Sequence, residues 1–271
     1  MFRPRRPYPS HPVPGGCAPQ TPLRAESARP QTPDGLNVRV GGGGEGYFLF
    51  MGKHGTAHIV WDWNGTLFHD TDAVIGATNA AFAELGLAPI TLAQYRQLYC
   101  VPVPRFYERL LGRLPTDAEW AVMDDIFHRY YAEHRVACEL AVGARDLLAG
   151  WQSAGRSQSI LSMYGHADLV PLVRGFGIEP HFVRVDGRTG PSGGSKAEHM
   201  VRHLEALTGV EAARTVVIGD AADDAIAALH AGALAVLYTG GSHGRASLEE
   251  VGVPVVDSLE EAVAEAERLA A

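Results

Sequence analysis

The chain has 271 residues, of which 46% are hydrophobic and 20% charged, a composition typical of a globular protein with one or two domains and a substantial core. A formal net charge of −8 argues against nucleic acid or an anionic membrane as the main partner, because both need a basic surface, and no apolar run approaches the roughly 20 residues that span a bilayer. The three cysteines, Cys17, Cys100 and Cys138, are too scattered for a disulfide framework or a zinc site, which favours a cytoplasmic location.

The first 56 residues differ in composition from the rest of the chain. Nine prolines lie between positions 4 and 33, residues 41–44 are all glycine, and large apolar residues are few. A segment of this composition cannot offset the entropy lost on ordering, so we predict that residues 1–56 form a disordered extension. Met51 stands just before the first strand signal, and we hypothesise that the native chain starts there.

The first strong strand signal is the apolar run at residues 58–61. Asp62 ends the run and Gly65 follows it, so a buried strand delivers a carboxylate to the rim of a sheet and the chain then turns. The two tryptophans that flank Asp62 point to the other side of the strand and are expected to pack in the core. Residues 68–72 are expected to form a polar turn that caps the next helix.

Four helical patterns then follow with no strand between them, at about residues 73–86, 91–98, 104–111 and 116–137. Aromatic and apolar residues recur at helical spacing from Trp120 to Tyr131, which indicates the core of a helix bundle. We therefore predict that residues 71–139 form a helical cap, inserted into an α/β core made of residues 57–70 and 140–271.

Strands and helices alternate from there to the end of the chain. Strands are predicted at residues 157–162, 181–185, 214–220, 233–237 and 253–256. Helices are predicted at residues 143–154, 166–175, 196–208 and 224–231 and from Ser258 onward. This alternation predicts an α/β fold, a three-layer Rossmann-like parallel sheet with an inserted helical bundle. Ligands of such sheets bind at the carboxyl ends of the strands.

Polar residues stand at or just after the ends of four predicted strands: Asp62, Ser162, Lys196, and the acidic group Asp220, Asp223 and Asp224. Each of these residues also has an ordinary structural explanation. Serine is common in the turns that end strands, lysine is often solvated, and acidic residues favour the first turn of a helix. All of them would nevertheless converge on one edge of one sheet. This convergence favours a joint functional role.

The segment Asp62-Trp63-Asn64-Gly65-Thr66-Leu67 resembles the first motif of the haloacid dehalogenase superfamily, which reads Asp-x-Asp-Gly-Thr-Leu in its phosphatases. Ser162, Lys196 and residues 219–224 follow in the order of the other three motifs, and the helical insert stands where some members carry an alpha-helical cap. The resemblance covers nearly all of residues 57–260. Phosphoglycolate-phosphatase-like members are most similar in layout.

This resemblance implies a phosphoric monoester hydrolase that acts on a small phosphorylated metabolite with Mg²⁺ as cofactor. The implied metal ligands are Asp62, Asn64 through its backbone carbonyl, Asp220 and Asp224. Asp62 would be the nucleophile that forms an aspartyl-phosphate, and Lys196 would neutralise phosphate and nucleophile together. The implied substrate-binding residues are Thr66, Ser162, Met163 and Lys196, with backbone amides of the turn after Asp62.

Asn64 departs from the family's pattern, because the aspartate usually found there protonates the leaving oxygen and later activates water. An amide does neither, and general acid–base catalysis is typically worth about 10²–10⁴-fold. Two interpretations remain: a phosphatase that is slow or limited to good leaving groups, and a non-catalytic protein of the same fold that binds a phosphorylated ligand. His69, which titrates near neutrality, is a candidate substitute acid.

Two other classes also use aspartates of this kind. A dehalogenase uses an aspartate nucleophile without metal, and the acidic group at residues 220–224 argues against it. A receiver domain carries its acidic pair first and has no helical insert, so it is rejected. The insert is expected to select the substrate, with Tyr99, Arg105 and Tyr107 as candidate contacts. The oligomeric state is not assigned.

Overall fold

The computed structural model describes residues 57–100, 103–190 and 195–271. The predicted extension at residues 1–56 and the predicted start at Met51 lie outside these residues. In chain order the strands are β1 (His58–Trp61), β2 (Phe68–His69), β3 (Glu139–Leu140), β4 (Ser157–Gly165), β5 (Arg184–Arg188), β6 (Thr215–Gly219), β7 (Leu234–Tyr238) and β8 (Val255–Val256).

The α-helices divide into two groups along the chain. Four of them lie between β2 and β3: α1 (Thr71–Glu84), α2 (Leu92–Leu98), α3 (Val103–Leu111) and α4 (Asp117–His134). The others alternate with the later strands: α5 (Ala144–Ser153), α6 (His166–Gly175), α7 (Lys196–Glu205), α8 (Ala222–His230), α9 (Arg245–Glu249) and α10 (Leu259–Ala270). Among the described residues, none of these helices combines the length and apolar character needed to cross a bilayer.

A six-stranded parallel sheet forms the centre of the fold, in the order β5-β4-β1-β6-β7-β8. Trp61 of β1 is level with Ile160 of β4 on one side and Ile218 of β6 on the other. The chain runs outward from β1 through β4 to β5 and then returns to β6 on the opposite side. The end of β1 is therefore a switch point, where a crevice for ligands forms. The predicted α/β, Rossmann-like fold is confirmed.

Helices cover both faces of the sheet because side chains of each strand alternate between two apolar layers. Ile59 and Trp61 pack with residues of α5, α6 and α10 on one face, and Val60 packs with residues of α7 and α8 on the other. Trp61 and Trp63 are both 0% exposed, and Trp63 stacks on Phe68 with ring centroids 5.2 Å apart. The predicted core packing of both tryptophans is confirmed.

Helices α1–α4, which we call the helical insert, have an apolar core of their own. Phe82, Tyr95, Phe106, Tyr107 and Met123 form its centre. Capping boxes fix the starts of α2 and α4, where a threonine side chain and a Gln or Glu three residues later satisfy each other's backbone amides. The aromatic pattern around Trp120 to Tyr131 thus belongs mainly to a packed helix interior, as expected.

The polar turn expected at residues 68–72 is a strand pair instead. Phe68 of β2 lies opposite Leu140 of β3 in an antiparallel pair that joins the two chain segments at the base of the helical insert. Strands of two residues leave no periodic pattern in a sequence. Asp70 occupies the N-cap position of α1, yet its side chain makes no capping hydrogen bond, because it is used elsewhere.

Two other elements differ from expectation in the second half of the chain. The strand predicted at residues 181–185 begins instead at Arg184, because Glu179–His181 form a 3₁₀ turn that contains Pro180. Proline cannot donate to a strand ladder, so a turn is favoured there. Helix α9 has only five residues and was not predicted.

Candidate active site

Three carboxylates and one ammonium group meet at the carboxyl ends of the central strands. Asp62 follows β1, Asp220 follows β6, Asp224 lies in the first turn of α8, and Lys196 is the first residue of α7. One carboxylate oxygen from each aspartate lies within 4.8 Å of the others, and all three residues are buried. Nζ of Lys196 lies 2.5 Å from Oδ1 of Asp62 and also pairs with Asp224. We call these four residues the acidic cluster.

Neighbouring side chains and backbone amides hold the carboxylates of Asp220 and Asp224. Asp220 accepts hydrogen bonds from the Thr66 hydroxyl at 3.2 Å and from the Ser242 amide and hydroxyl at 2.7 and 2.6 Å. Asp224 accepts one from the Ala221 amide at 2.9 Å, so it also caps α8. Ser242 was not predicted; its position in a Gly-Gly-Ser loop after β7, at the same sheet edge, was the available signal.

Gly65 is required by the approach of the turn after Asp62 to Asp220. Its φ of +73° lies in the left-handed region, and an added Cβ would stand 2.6 Å from Oδ2 of Asp220. Gly241 approaches Asp220 from the other side, where an added Cβ would stand 2.1 Å from the same oxygen. The carboxylate of Asp220 is therefore enclosed by backbone on two sides.

Burial dominates the electrostatics of the acidic cluster. It raises the pKa of Asp62 well above its ordinary value, with Lys196 opposing the rise and the carboxylates of Asp224 and Asp220 adding to it. Burial and the charge of Asp224 raise the pKa of Asp220 to about 6. Burial alone would lower the pKa of Lys196, but the carboxylates of Asp224 and Asp62 outweigh it and raise that pKa. With all three carboxylates ionised against one ammonium, the cluster would carry excess negative charge; the raised pKa values reflect the cost of that charge, which a cation would neutralise.

The predicted substrate-binding residues have different environments. Ser162 is buried within β4, which runs on to Gly165 beyond the predicted strand end at Ser162, and its hydroxyl oxygen accepts a hydrogen bond from the Tyr164 amide at 3.1 Å, so its proton is available to a ligand. The Met163 carbonyl accepts from Nε of Arg188 at 3.2 Å. Thr66 is 0% exposed and its hydroxyl donates to Asp220, so the structure uses this side chain to hold a carboxylate.

Asn64 is held by two residues for which the sequence indicated only structural roles. Its Nδ2 donates to Oδ2 of Asp70 at 2.7 Å and to the hydroxyl of Tyr131 at 3.0 Å. Tyr131, from α4, donates in turn to Oδ2 of Asp70 at 2.6 Å, and the Gly65 amide donates to Oδ1 of Asp70 at 3.0 Å. We call Asn64, Asp70 and Tyr131 the amide clamp. Burial raises the pKa of Asp70, although these hydrogen bonds oppose the rise. His69, the candidate substitute acid, is exposed.

The helical insert reaches the loop that follows β7 through α2 and the residue after it. Nε and Nη2 of Arg96 donate to the carbonyls of Gly241 and Gly240, each at 2.8 Å. Tyr99 packs edge-on against His243 with ring centroids 5.0 Å apart. This loop also carries Ser242, so the insert contacts the segment that holds Asp220.

The three candidate substrate contacts of the insert separate clearly in the structure. Burial, and then the negative charges of Asp220 and Asp224, raise the pKa of Tyr99, so its hydroxyl lies within the field of the acidic cluster. Arg105 pairs with Glu108 on the surface, and its side chain is 64% exposed. Tyr107 is buried in the core of the insert. Of these three residues, Tyr99 is the one that contacts the loop carrying Ser242, through His243.

Comparison with known proteins places this geometry in a family context. The profile of the family described as haloacid dehalogenase-like hydrolase matches residues 56–232. A phosphoglycolate phosphatase of Cereibacter sphaeroides is 31% identical over 133 residues, which cover 43% of this chain and 61% of that protein. A phosphoglycolate phosphatase of Synechococcus elongatus is 27% identical over 192 residues, covering 70% of this chain and 87% of its own.

A solved structure gives the same result for the fold. A hydrolase of the haloacid dehalogenase-like family from Streptococcus pneumoniae superimposes with a TM-score of 0.66 at 20% sequence identity, covering 78% of this chain and 98% of that chain. At this identity the similarity establishes the fold alone. The chain spans about 61% of the length of the first curated relative, so the activity of that whole protein is not carried over directly.

Proposed function

Because the chain belongs to the haloacid dehalogenase-like hydrolase family, we propose that it is a Mg²⁺-dependent phosphatase of a small phosphorylated metabolite. The observation that carries this proposal is the acidic cluster, in which Asp62 lies at a strand end with a lysine at 2.5 Å and two further buried carboxylates nearby. The relatives named phosphoglycolate phosphatase support the same class of substrate.

The donor set fits Mg²⁺. The ion prefers hard oxygen ligands, and the acidic cluster offers three carboxylates that exceed their single internal cation in charge. Asp62, Asp220 and Asp224 would hold the ion through carboxylate oxygens, and Asn64 through its backbone carbonyl. When bound, Mg²⁺ supplies neutralisation of the phosphate's negative charge, which otherwise repels an anionic nucleophile.

The chain's own groups then account for the two chemical steps. A carboxylate oxygen of Asp62 attacks phosphorus, the bond from phosphorus to the leaving oxygen breaks, and that oxygen departs with the electron pair and takes up a proton from solvent. Water next attacks phosphorus, the bond to Asp62 breaks, and phosphate leaves with the water's oxygen while a proton passes to solvent. Lys196 holds the attacking carboxylate in place and offsets charge on the phosphoryl group.

Donors for the phosphoryl oxygens lie next to the nucleophile. The amides of Gly65 and Thr66 bond inside the turn, so those of Trp63 and Asn64 are the ones that would bind phosphate. The hydroxyl of Ser162 would add a third donor from the neighbouring strand. The helical insert would act as a cap, with Tyr99 as its contact to the bound ligand.

Asn64 limits the rate of the first step. Its amide donates to Asp70 and Tyr131 and carries no acidic proton for the leaving oxygen. We therefore expect turnover to depend strongly on the leaving group and to be fastest with phenolic esters. The same amide is the observation that favours a second candidate function, a non-catalytic protein that binds a phosphorylated ligand at this site.

The test is phosphate release from p-nitrophenyl phosphate and a panel of glycolate and sugar phosphates, with Mg²⁺ or with chelator. We expect turnover by the wild type that needs Mg²⁺ and is lost by at least about 10³-fold in Asp62→Asn. Asp223→Asn is the matched control, because Asp223 precedes Asp224 but lies outside the three clustered carboxylates. Silence of the wild type on every substrate, together with thermal stabilisation by Mg²⁺ and inorganic phosphate, would favour the binding protein.

A further inference from the structure

The three members of the amide clamp are all hydrogen-bonded to one another, and Asp70 also accepts from the Gly65 amide. Both carboxylate oxygens of Asp70 accept, the amide nitrogen of Asn64 donates twice, and the Tyr131 hydroxyl accepts from Asn64 while it donates to Asp70. Asp70 is 1% exposed and Tyr131 is 8% exposed. Buried polar groups need such complete pairing, because an unpaired one costs its full desolvation.

A carboxylate at position 64 would break this pairing. It would stand about where the Asn64 amide now lies, 2.7 Å from an oxygen of Asp70, with no donor between the two groups. The ammonium of Lys196 is already paired with Asp62 and Asp224. Like charges this close and this buried repel strongly. The amide at position 64 and the carboxylate at position 70 are therefore complementary, and neither is interchangeable by itself.

The clamp also determines the shape of the turn that follows the nucleophile. Asp70 holds Asn64 through its side chain and Gly65 through its backbone amide, at 2.7 and 3.0 Å. The backbone of Asn64 carries the carbonyl and one of the amides that the proposed function uses for metal and phosphate. Tyr131 adds a connection from α4, so the position of the turn depends on the helical insert.

We propose that Asp70 and Tyr131 are positioning residues that fix Asn64 and the turn after Asp62. The proposal includes that the site accommodates one carboxylate, at position 64 or at position 70, but not a carboxylate at both. The exchange variant Asn64→Asp/Asp70→Asn has the same donors and acceptors in mirrored places. It also puts a carboxylate where Asn64 now stands, beside the nucleophile's turn. The consequence for turnover rests on the proposed phosphatase function, whereas the consequence for stability does not.

Thermal unfolding in the absence of Mg²⁺ tests the pairing first. We expect Asn64→Asp to lower Tm by about 5 °C, Asp70→Asn to lower it by a similar amount, and the exchange variant to lie within about 2 °C of the wild type. Strong coupling of this kind requires that the two side chains be partners. Additive losses, with the exchange variant the least stable of the three, would overturn the proposal whether or not the protein is a phosphatase.

Steady-state kinetics with p-nitrophenyl phosphate and Mg²⁺ tests the positioning role. We expect Tyr131→Phe to reduce kcat about 10-fold with KM within about twofold, because the turn loses its alignment while substrate contacts remain. Tyr130→Phe is the matched control, since Tyr130 is the neighbouring tyrosine of α4 and its ring stacks on His134 rather than on the clamp. Equal effects of the two substitutions would contradict the assignment.

The exchange variant separates this inference from the proposed function. It should exceed Asn64→Asp in kcat by about 10-fold or more, since only the exchange supplies an acid at position 64 without a competing carboxylate. A single variant that equals the exchange variant would overturn the proposal. If no variant and no wild type turns over any substrate, the phosphatase function fails, and the Tm comparison alone decides the clamp.

Discussion

The acidic cluster and the amide clamp are two buried carboxylate sites on either side of one turn, and they balance charge in opposite ways. In the cluster, three aspartates share a single ammonium from Lys196, and burial raises the pKa of Asp62 far above its ordinary value. In the clamp, one aspartate receives three neutral donors and is satisfied as it stands. Under the proposed function, excess negative charge would make the first site a binding site for a cation, whereas the second site has its carboxylate fully paired and would serve a structural role.

The two sites also differ in which parts of the chain build them. Every member of the acidic cluster follows a sheet strand or starts a helix that packs on the sheet. The amide clamp takes Tyr131 from the helical insert. The groups proposed to react are thus held by elements of the sheet layers, while the turn between the two sites is also bonded to the insert through Tyr131.

The largest expected effect comes from removing the cation of the acidic cluster. Lys196→Met leaves three buried carboxylates with no internal counter-charge, so the free energy of unfolding should fall by about 3–5 kcal/mol without metal. Millimolar Mg²⁺ should restore part of this loss, because the ion would neutralise the same charges. Urea unfolding with and without Mg²⁺ measures both effects.

Arg245→Met is the control for that loss. Arg245 forms ion pairs with Glu249 and Asp257 on the surface, where its side chain is 42% exposed. Such exposed pairs contribute little to stability, so the loss should be much smaller than that of Lys196→Met, and Mg²⁺ should not change it. A loss from Lys196→Met no larger than this would contradict the charge imbalance that distinguishes the cluster from the clamp.

Gly65→Ala should break the turn that joins the two sites. The left-handed backbone penalises any side chain there, and the new methyl group would also collide with Asp220. Gly86→Ala is a matched control, because Gly86 has a φ of +67° and an added Cβ there meets nothing within 4 Å. We expect a loss of about 3 kcal/mol for Gly65→Ala against about 1 kcal/mol for Gly86→Ala, measured by chemical unfolding. Equal losses would show that Asp220 tolerates the methyl group.

The sequence predicted the acidic cluster far better than the amide clamp. Asp62, Lys196, Asp220 and Asp224 each stand at or near a strand end or a helix start, and the carboxyl ends of parallel strands share one edge, so their convergence follows from the order of elements. The six-stranded sheet and the burial of both tryptophans followed from the same apolar runs. Periodicity and strand order were therefore sufficient for this part of the molecule.

The clamp was beyond such reasoning because its contacts depend on tertiary packing. Asp70 has the position and chemistry of a helix cap, yet its side chain points back to Asn64 and Gly65. Tyr131 fits the apolar pattern of α4, and only its hydroxyl, at the end of a buried ring, has a polar function. Neither of these hydrogen-bonding roles changes the apolar or capping pattern of the sequence. Strands β2 and β3, which pair at the base of the insert, are too short to produce a periodic pattern.

A third buried polar group extends the comparison, because it is neutral and lies within the sheet. His58 bonds to the hydroxyls of Ser157 and Ser159, at 2.7 and 2.8 Å. Burial, and then the nearby His203, lower the pKa of His58 to about 4. Between about pH 6.5 and pH 4 the unfolded chain binds a proton at His58 that the folded chain does not, so stability is full above this window and falls as pH decreases through it.

The expected size of this effect is about 2 kcal/mol between pH 7 and pH 5. His58→Gln does not titrate, so the difference in unfolding free energy between wild type and variant should shrink by that amount over the same range. Urea unfolding of both proteins at each pH gives the difference directly. A difference that stays constant with pH would mean that His58 accepts a proton in the folded state without cost.

The smallest expected effect concerns the second contact between the insert and the sheet edge. Arg96→Met removes two hydrogen bonds to the Gly240–Gly241 segment, which precedes the Ser242 that holds Asp220, and should cost about 1 kcal/mol. Arg109→Met is matched in chemistry, since Arg109 donates to the Leu98 carbonyl inside the insert. Both variants should lose some stability. Only Arg96→Met should weaken Mg²⁺ binding, by a few fold in calorimetry, because the loop that Arg96 contacts also holds Asp220, a proposed metal ligand. Equal Mg²⁺ affinities would mean that the insert influences the site through the amide clamp alone.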